Sequence, residues 1–187
     1  IFIKAENLQK IGAFKFRGAM NSILKLDDDK KNVLAWSSGN HAQAIASACY
    51  LTDKNATIVM PEDSPNAKLN GTKSWGADVV TFDRYSESRE EIGTNLAKEI
   101  NAEIIPPFDH PDVINGQGTV GYEIINDCKN NNLVPDLVLC CCGGGGLIAG
   151  VSTAIKAEYP NVPIYAVEPE DYNDTYLSLR DNKITEV

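Results

Sequence analysis

Apolar and polar residues alternate along the chain with two periods, one typical of strands and one typical of helices. Short apolar runs predict strands, and longer stretches with apolar residues every three or four positions predict amphipathic helices. The predicted strands cover residues 1–6, 32–37, 56–60, 78–82, 137–142 and 164–167. The predicted helices cover residues 14–26, 41–51, 66–75, 86–100, 118–128 and 147–158. Strands separated by helices indicate an α/β fold with a mostly parallel sheet and helices on both faces.

Composition and charge narrow the class of protein. The chain has 187 residues, of which 43% are hydrophobic and 23% charged, and its net charge is -9. No apolar run approaches the roughly 20 residues that a membrane-spanning helix needs. An acidic surface disfavours nucleic acid and anionic membranes as partners. We therefore expect neither nucleic acid nor a membrane as a partner.

The cysteines do not form a disulfide framework. There are five of them, and Cys140, Cys141 and Cys142 follow one another on a predicted strand. Neighbouring side chains on a strand point to opposite faces, so these three cannot converge on one metal ion. We expect the cysteines to be buried, reduced thiols in a cytoplasmic protein.

Four glycines, Gly143 to Gly146, join a predicted apolar strand to a predicted apolar helix. Glycine lets the backbone approach a ligand closely, and the helix that follows adds the positive end of its dipole. A flexible linker is the alternative, but its flanks would be polar. No Lys-Ser/Thr pair follows, as it would in a P-loop, so the run predicts a site for a small phosphorylated cofactor.

Two further segments could carry chemistry. Ser37 to His41 connect a predicted strand to a helix, and their polar groups would suit a carboxylate. The alternative is a simple helix cap formed by Ser38 or Asn40. Lys15 lies between Phe14 and Phe16 near a predicted helix start. Burial and a neighbouring cation would lower the pKa of its amine and make it a nucleophile for aldehydes. Read alone, Lys15 is equally well an ordinary surface lysine.

Together the three segments carry a resemblance. Ala-Phe-Lys-Phe-Arg-Gly, Ser-Ser-Gly-Asn-His-Ala-Gln-Ala and Gly-Gly-Gly-Gly-Leu occur in this order. They resemble the serine/threonine dehydratase family of pyridoxal-phosphate (PLP) enzymes, in particular serine racemases and threo-3-hydroxyaspartate ammonia-lyases. The resemblance implies the two-lobed, three-layer parallel-sheet fold of tryptophan-synthase-β-like PLP enzymes. It also implies a small mobile domain at residues 32–109 and an incomplete PLP-anchoring domain at residues 1–31 and 110–187.

The resemblance assigns roles to individual residues. Lys15 matches the lysine that bonds the PLP aldehyde, and Ser38 matches the serine on the opposite side of the substrate. Phe14 and Asn40 match residues that contact the PLP ring. The phosphate loop corresponds to Gly143, Gly144, Gly145, Gly146 and Leu147. The loop that binds the substrate carboxylate corresponds to Ser37, Ser38, Gly39, Asn40 and His41.

A divalent-cation site is also implied. Glu168, the backbone carbonyl of Tyr172, and Asp174 match the family's ligands, and oxygen ligands of this kind suit Mg²⁺, or else Ca²⁺ or Mn²⁺. An acidic surface loop is the alternative reading.

The chain departs from the family pattern at several points. Trp75 stands where animal racemases have a tyrosine that helps form an ATP site, although Gln43 of that site is retained, which leaves open whether ATP is an effector. Phe108, or else the neighbouring Asp109, stands where those racemases have an asparagine near the cofactor. The family's opening segment and its C-terminal portion, with a serine that bonds the pyridine nitrogen, lie outside these 187 residues. We therefore expect the 187 residues alone to be inactive.

The resemblance implies a reaction and two alternatives. The expected activity is α,β-elimination, by dehydration and deamination, of β-hydroxy amino acids such as serine and threo-3-hydroxyaspartate, with racemisation as a second activity in a homodimer. One alternative is threonine deamination on the same fold. The other is a truncated, non-catalytic fragment that binds phosphate.

Overall fold

The computed structural model describes residues 1–185, and the chain forms two compact units, residues 1–116 and 117–187. The helices of the first unit are α1 (Lys15–Leu24), α2 (Asn40–Leu51), α3 (Asn66–Lys73) and α4 (Arg89–Glu99). Its strands are β1 (Asn32–Trp36), β2 (Asn55–Pro61), β3 (Asp78–Phe82) and β4 (Ala102–Ile104). Helix α5 (Pro111–Asn130) continues into the second unit, which also contains β5 (Val138–Cys141), α6 (Gly146–Glu158), β6 (Ile164–Val167) and α7 (Asp174–Asp181).

The first unit is built on a four-stranded parallel sheet in the order β3-β2-β1-β4. Side chains that alternate along the central strands enter two different cores. Val33 of β1 and Ile58 of β2 pack in the cluster that contains Ile45 of α2. Leu34 of β1 belongs to the other cluster, with Ala97 of α4. Because both faces of the sheet are covered, the unit has three layers, and the sheet's carboxyl edge is the open end for ligands.

The second unit has a smaller sheet, the parallel pair β5-β6. Val151 and Ile155 of α6 pack against Val120 of α5 and Cys140 of β5. Cys141 points the other way and is exposed, so the expectation that all of the cysteine thiols are buried is wrong. Strand alternation explains the difference, because only one face of β5 is covered by this core. Burial raises the pKa of the Cys140 thiol to about 12, which keeps it protonated.

Most of the predicted elements are confirmed, as is the α/β class with parallel strands. The predicted strand at residues 1–6 is wrong: Ile1, Phe2 and Ile3 are exposed, and a 3-10 helix begins at Glu6. Sequence patterns missed β4 and α7, and they placed the start of α5 seven residues late. Glycine is a poor helix former, so the glycines at 116, 118 and 121 obscured that helix. The grouping of residues 32–109 into a mobile lobe stays a prediction.

Within residues 1–185, no helix is both long enough and apolar enough to cross a bilayer.

Glycine is required where α5 meets α1. A Cβ atom at Gly116 would lie 2.6 Å from the carbonyl oxygen of Arg17 and from the Cα atom of Gly18. We expect Gly116→Ala to lower the free energy of unfolding by about 1–3 kcal/mol, because backbone cannot yield as a side chain can. Gly71→Ala is the matched control, since its Cβ would meet only the flexible Gln43 side chain at 3.2 Å. Urea unfolding measures both variants, and equal stabilities would contradict the close approach.

Candidate active site

Lys15 begins α1, and its side chain is half-buried in the first unit. Its Nζ donates a hydrogen bond to the carbonyl oxygen of Pro107 at 2.5 Å. The ring centroids of Phe14 and Phe108 lie 5.3 and 5.9 Å from Nζ. Pro107 follows β4, so the amine lies beyond the carboxyl end of a parallel strand, where ligands bind in sheets of this kind.

Burial lowers the pKa of Lys15 from 10.5 to about 8. With that pKa, roughly a tenth of the amine is unprotonated at pH 7. The unprotonated amine is the form that attacks an aldehyde. Burial alone produces the shift, and the neighbouring cation expected from the sequence is not needed.

His41 is a buried, neutral neighbour of this amine. Its Nε2 lies 2.9 Å from the carbonyl oxygen of Ile105, which makes Nε2 the protonated nitrogen. Burial, and to a smaller extent the charge of Lys15, lowers the pKa of His41 to about 4. Its Nδ1 has no hydrogen-bond partner among the described residues, so a buried acceptor is left for a ligand or a water molecule.

The loop between β1 and α2 leaves its helix uncapped. Gly39 is the N-terminal capping residue of α2, and no side chain accepts a hydrogen bond from the first turn. The Ser37 hydroxyl instead accepts from the Gly39 amide at 3.1 Å, and Ser38 is exposed. No side chain caps α2, so neither Ser38 nor Asn40 is the simple helix cap that was the alternative reading. The free N–H groups of the first turn of α2 remain available to a carboxylate.

Asn40 and Trp75 have neighbours that the sequence did not reveal. The Asn40 side-chain oxygen accepts a hydrogen bond from Lys68 Nζ at 3.1 Å. The ring of Trp75 lies 5.8 Å from that of Tyr50, and Lys10 Nζ lies 5.9 Å from the Trp75 ring. Trp75, at which the chain differs from the animal racemases, therefore packs beside another aromatic ring and lies under a lysine.

Sequence reasoning missed a pocket at the carboxyl ends of β1, β2 and β3. It has a volume of about 270 Å³. Its lining includes Ser37, Ser38, Arg84, Glu87, Arg89 and Glu90. Arg84 pairs with Asp63 at 2.7 Å, and Arg89 pairs with Glu90 at 2.7 Å. The sequence signal that could have revealed this pocket is Ser88, which caps α4, the next helix after β3. The cap places the charged residues around the start of α4 at this edge of the sheet.

The glycine run lies in the second unit, between β5 and α6. Gly145 has a φ of 80°, in the left-handed region that favours glycine, and it precedes the first turn of α6. No side chain caps that turn. A Cβ atom at Gly143 or at Gly145 would meet no heavy atom within 4 Å, so the space beside the loop is open. The uncapped turn and the open loop fit a phosphate group.

The predicted cation ligands are partly engaged elsewhere. The two carboxylate oxygens of Glu168 accept hydrogen bonds from the backbone N–H groups of Thr175 and Tyr176, at 3.0 and 2.9 Å. Glu168 therefore caps α7. Burial opposes ionisation of Glu168, but these hydrogen bonds hold its pKa below the ordinary value. Residues 1–185 contain no group of three or more His, Cys, Asp or Glu side chains that could hold a metal ion. Glu168, Tyr172 and Asp174 thus remain a predicted cation site.

The whole sequence matches a family model described as pyridoxal-phosphate dependent enzyme, over residues 1–187. The chain is 47% identical to L-threo-3-hydroxyaspartate ammonia-lyase of Saccharomyces cerevisiae, over 100% of this chain and 57% of that protein. It is 42% identical to a catabolic L-threonine dehydratase of Staphylococcus aureus, over 100% of this chain and 53% of that protein. The structure of maize serine racemase superposes with a TM-score of 0.92 and 39% identity, covering 97% of this chain and 55% of the other. The chain thus spans little more than half the length of these proteins.

Proposed function

The chain belongs to the family of pyridoxal-phosphate-dependent enzymes, and from this premise we propose that the whole protein is an ammonia-lyase acting on β-hydroxy amino acids. We propose serine and threo-3-hydroxyaspartate as substrates and serine racemisation as a second activity. The observation that carries the proposal is Lys15, whose amine is half-buried beyond a parallel strand with its pKa lowered to about 8. Bound PLP would supply an aldehyde to trap amines and a conjugated ring to disperse the charge left by the α-proton.

Lys15 has two tasks in this proposal. Its unprotonated amine would hold the cofactor through its aldehyde, and the same Nζ, when it is not bonded, would accept the α-proton of the substrate. A pKa near 8 suits both tasks, since an amine that titrates close to the working pH can give and take a proton. The neutral His41 adds no positive charge beside Nζ.

Further residues are proposed to contact the cofactor. In the first unit, Phe14 would pack near the ring and Asn40 would exchange its bond with Lys68 for one to the ring's phenolic oxygen. In the second unit, Gly143 to Gly146 and Leu147 would bind the phosphate. The uncapped first turn of α6 and the left-handed Gly145 support this assignment.

The loop from Ser37 to His41 would hold the substrate carboxylate on the free N–H groups of α2. Ser38 would face the substrate from the side opposite Lys15. Its hydroxyl could then deliver or remove a proton there, which racemisation requires. In the net reaction, the α-proton and the β-hydroxyl would leave the substrate as water, and hydrolysis would then release a keto acid and ammonia.

The pocket beside this loop supports a substrate with a second carboxylate. Arg84 and Arg89 line it with Ser37 and Ser38. The guanidinium of Arg89 pairs only with its exposed neighbour Glu90 in the described contacts, so a bound carboxylate could replace that partner. This feature favours threo-3-hydroxyaspartate over threonine. The name of the Staphylococcus aureus relative keeps threonine deamination as the second candidate, and rates on L-serine, D-serine, L-threonine and threo-3-hydroxyaspartate separate the two.

Several finer features belong to the same proposal. A Mg²⁺ ion, or Ca²⁺ or Mn²⁺, would be held by Glu168, Asp174 and the Tyr172 carbonyl, with Glu168 also capping α7. Residues 32–109 would close over the substrate as a mobile domain and exclude water. We propose that the whole protein is a cytoplasmic homodimer. We also propose that the 187 residues lack activity on their own. Trp75, with Lys10 Nζ over its ring, stands in place of the tyrosine of the animal ATP site, so the proposal does not include regulation by ATP.

Replacing Lys15 tests the proposal most simply. Lys15→Ala in the full-length protein should abolish the near-visible absorbance of the lysine-bound cofactor, because the proposal assigns that bond to Lys15. Lys25→Ala is the matched control, since Lys25 follows the same helix but is exposed and paired with Asp112 at 2.5 Å. Spectra recorded after adding PLP should differ only for Lys15→Ala. Survival of the absorbance in that variant would refute the assignment.

Replacing Ser38 tests the two-sided arrangement. Ser38→Ala should suppress serine racemisation by at least about tenfold while slowing elimination from the L-substrate much less, because only racemisation needs a proton on that side. Both rates can be followed on one sample of the full-length protein. Equal losses in the two reactions would contradict the role given to Ser38.

A further inference from the structure

Lys15 Nζ lies in a seat made of a backbone carbonyl and two aromatic rings. The carbonyl is that of Pro107, and the rings are those of Phe14 and Phe108. We propose that Phe108 is a positioning residue, which holds the Lys15 ammonium against the Pro107 carbonyl until the cofactor's aldehyde arrives. This inference rests on the proposed function, in which Lys15 is the residue that captures PLP.

The surroundings of Nζ explain why a ring matters here. Within residues 1–185, no carboxylate forms an ion pair with Lys15. The ammonium is stabilised by the carbonyl oxygen and by the negative faces of the two rings, whereas burial opposes the charge. Because no carboxylate neutralises this ammonium, the cation–π contacts supply a large share of its stabilisation. Phe108 therefore influences how readily Lys15 loses its proton.

The position of Phe108 separates this role from core packing. Its side chain is 39% exposed, so it is not part of the buried clusters. It follows Pro107 directly, and its carbonyl accepts a hydrogen bond from the His110 amide at 3.1 Å. That short turn keeps the ring and the Pro107 carbonyl on the same few residues of chain, so one loop presents both to Lys15.

The other charged or titratable groups near Lys15 do not stabilise its ammonium in place of Phe108. His41, on α2, is neutral because burial lowers its pKa to about 4. Asp109 and His110 follow Phe108 in the chain, and Asp109 is exposed to solvent, which screens its charge. Arg17 is on α1 with Lys15, but it is paired with Glu6 at 2.8 Å.

The experiment compares wild type, Phe108→Leu and Phe108→Trp in the full-length protein. The pH midpoint of Lys15 is first measured without cofactor, by competitive acetylation and peptide mass spectrometry, since only the unprotonated amine reacts. Loss of the ring in Phe108→Leu should lower the midpoint by about half a pH unit. Phe108→Trp should leave the midpoint unchanged or raise it. Phe2→Leu is the control, because Phe2 is 87% exposed and should leave Lys15 unaffected.

The rate of PLP capture is then followed by absorbance at pH 7. Phe108→Leu should capture PLP about threefold faster, because a midpoint lower by half a pH unit raises the unprotonated fraction of Lys15 by about that factor. An unchanged or raised midpoint in Phe108→Leu would overturn the inference, whatever the capture rate. A lowered midpoint in Phe108→Leu, in a protein whose Lys15 never bonds PLP, would support the role of Phe108 and refute the proposed function. Failure of the inference and failure of the proposed function therefore give different results.

Discussion

The amine of Lys15 lies partly out of water, and the candidate chemistry depends on that burial. In solvent a lysine is almost wholly protonated at neutral pH and is a poor nucleophile. Here burial brings the pKa to about 8, while the Pro107 carbonyl and two aromatic rings stabilise the ammonium form. The balance leaves both forms of the amine accessible near neutral pH, which a residue that bonds an aldehyde and then moves a proton requires.

The scaffold of the first unit maintains that environment. Helix α1 is fixed by backbone contact with α5 at Gly116 and by the half-buried ion pair between Arg17 and Glu6. The carbonyls of Ile105 and Pro107 come from the chain that leaves β4, an edge strand paired only with β1 in the described sheet. One hydrogen-bonds His41 and the other Lys15. A short strand of three residues thus places both side chains at the carboxyl edge of the sheet.

Much of this architecture could be predicted from the sequence, and the parts that could not share a physical reason. The apolar run of β2 and the apolar face of α1 are clear in the sequence, and the loops of Ser37 to His41 and Gly143 to Gly146 stand out by composition. By contrast, β4 is too short and too little buried to show a period. The seat of Lys15 on Pro107 joins residues 92 positions apart, and no local pattern reports such a contact. The pocket around Arg84 and Arg89 was missed because it is formed where several strand ends meet.

The most direct measurement of the central claim is to treat the full-length protein with PLP, reduce it with borohydride and map the modified peptides by mass spectrometry. Reduction fixes the cofactor on whichever amine holds it. The account predicts that the phosphopyridoxyl group is found almost entirely on the peptide that contains Lys15. Label spread over surface lysines, with Lys15 unmodified, would contradict it.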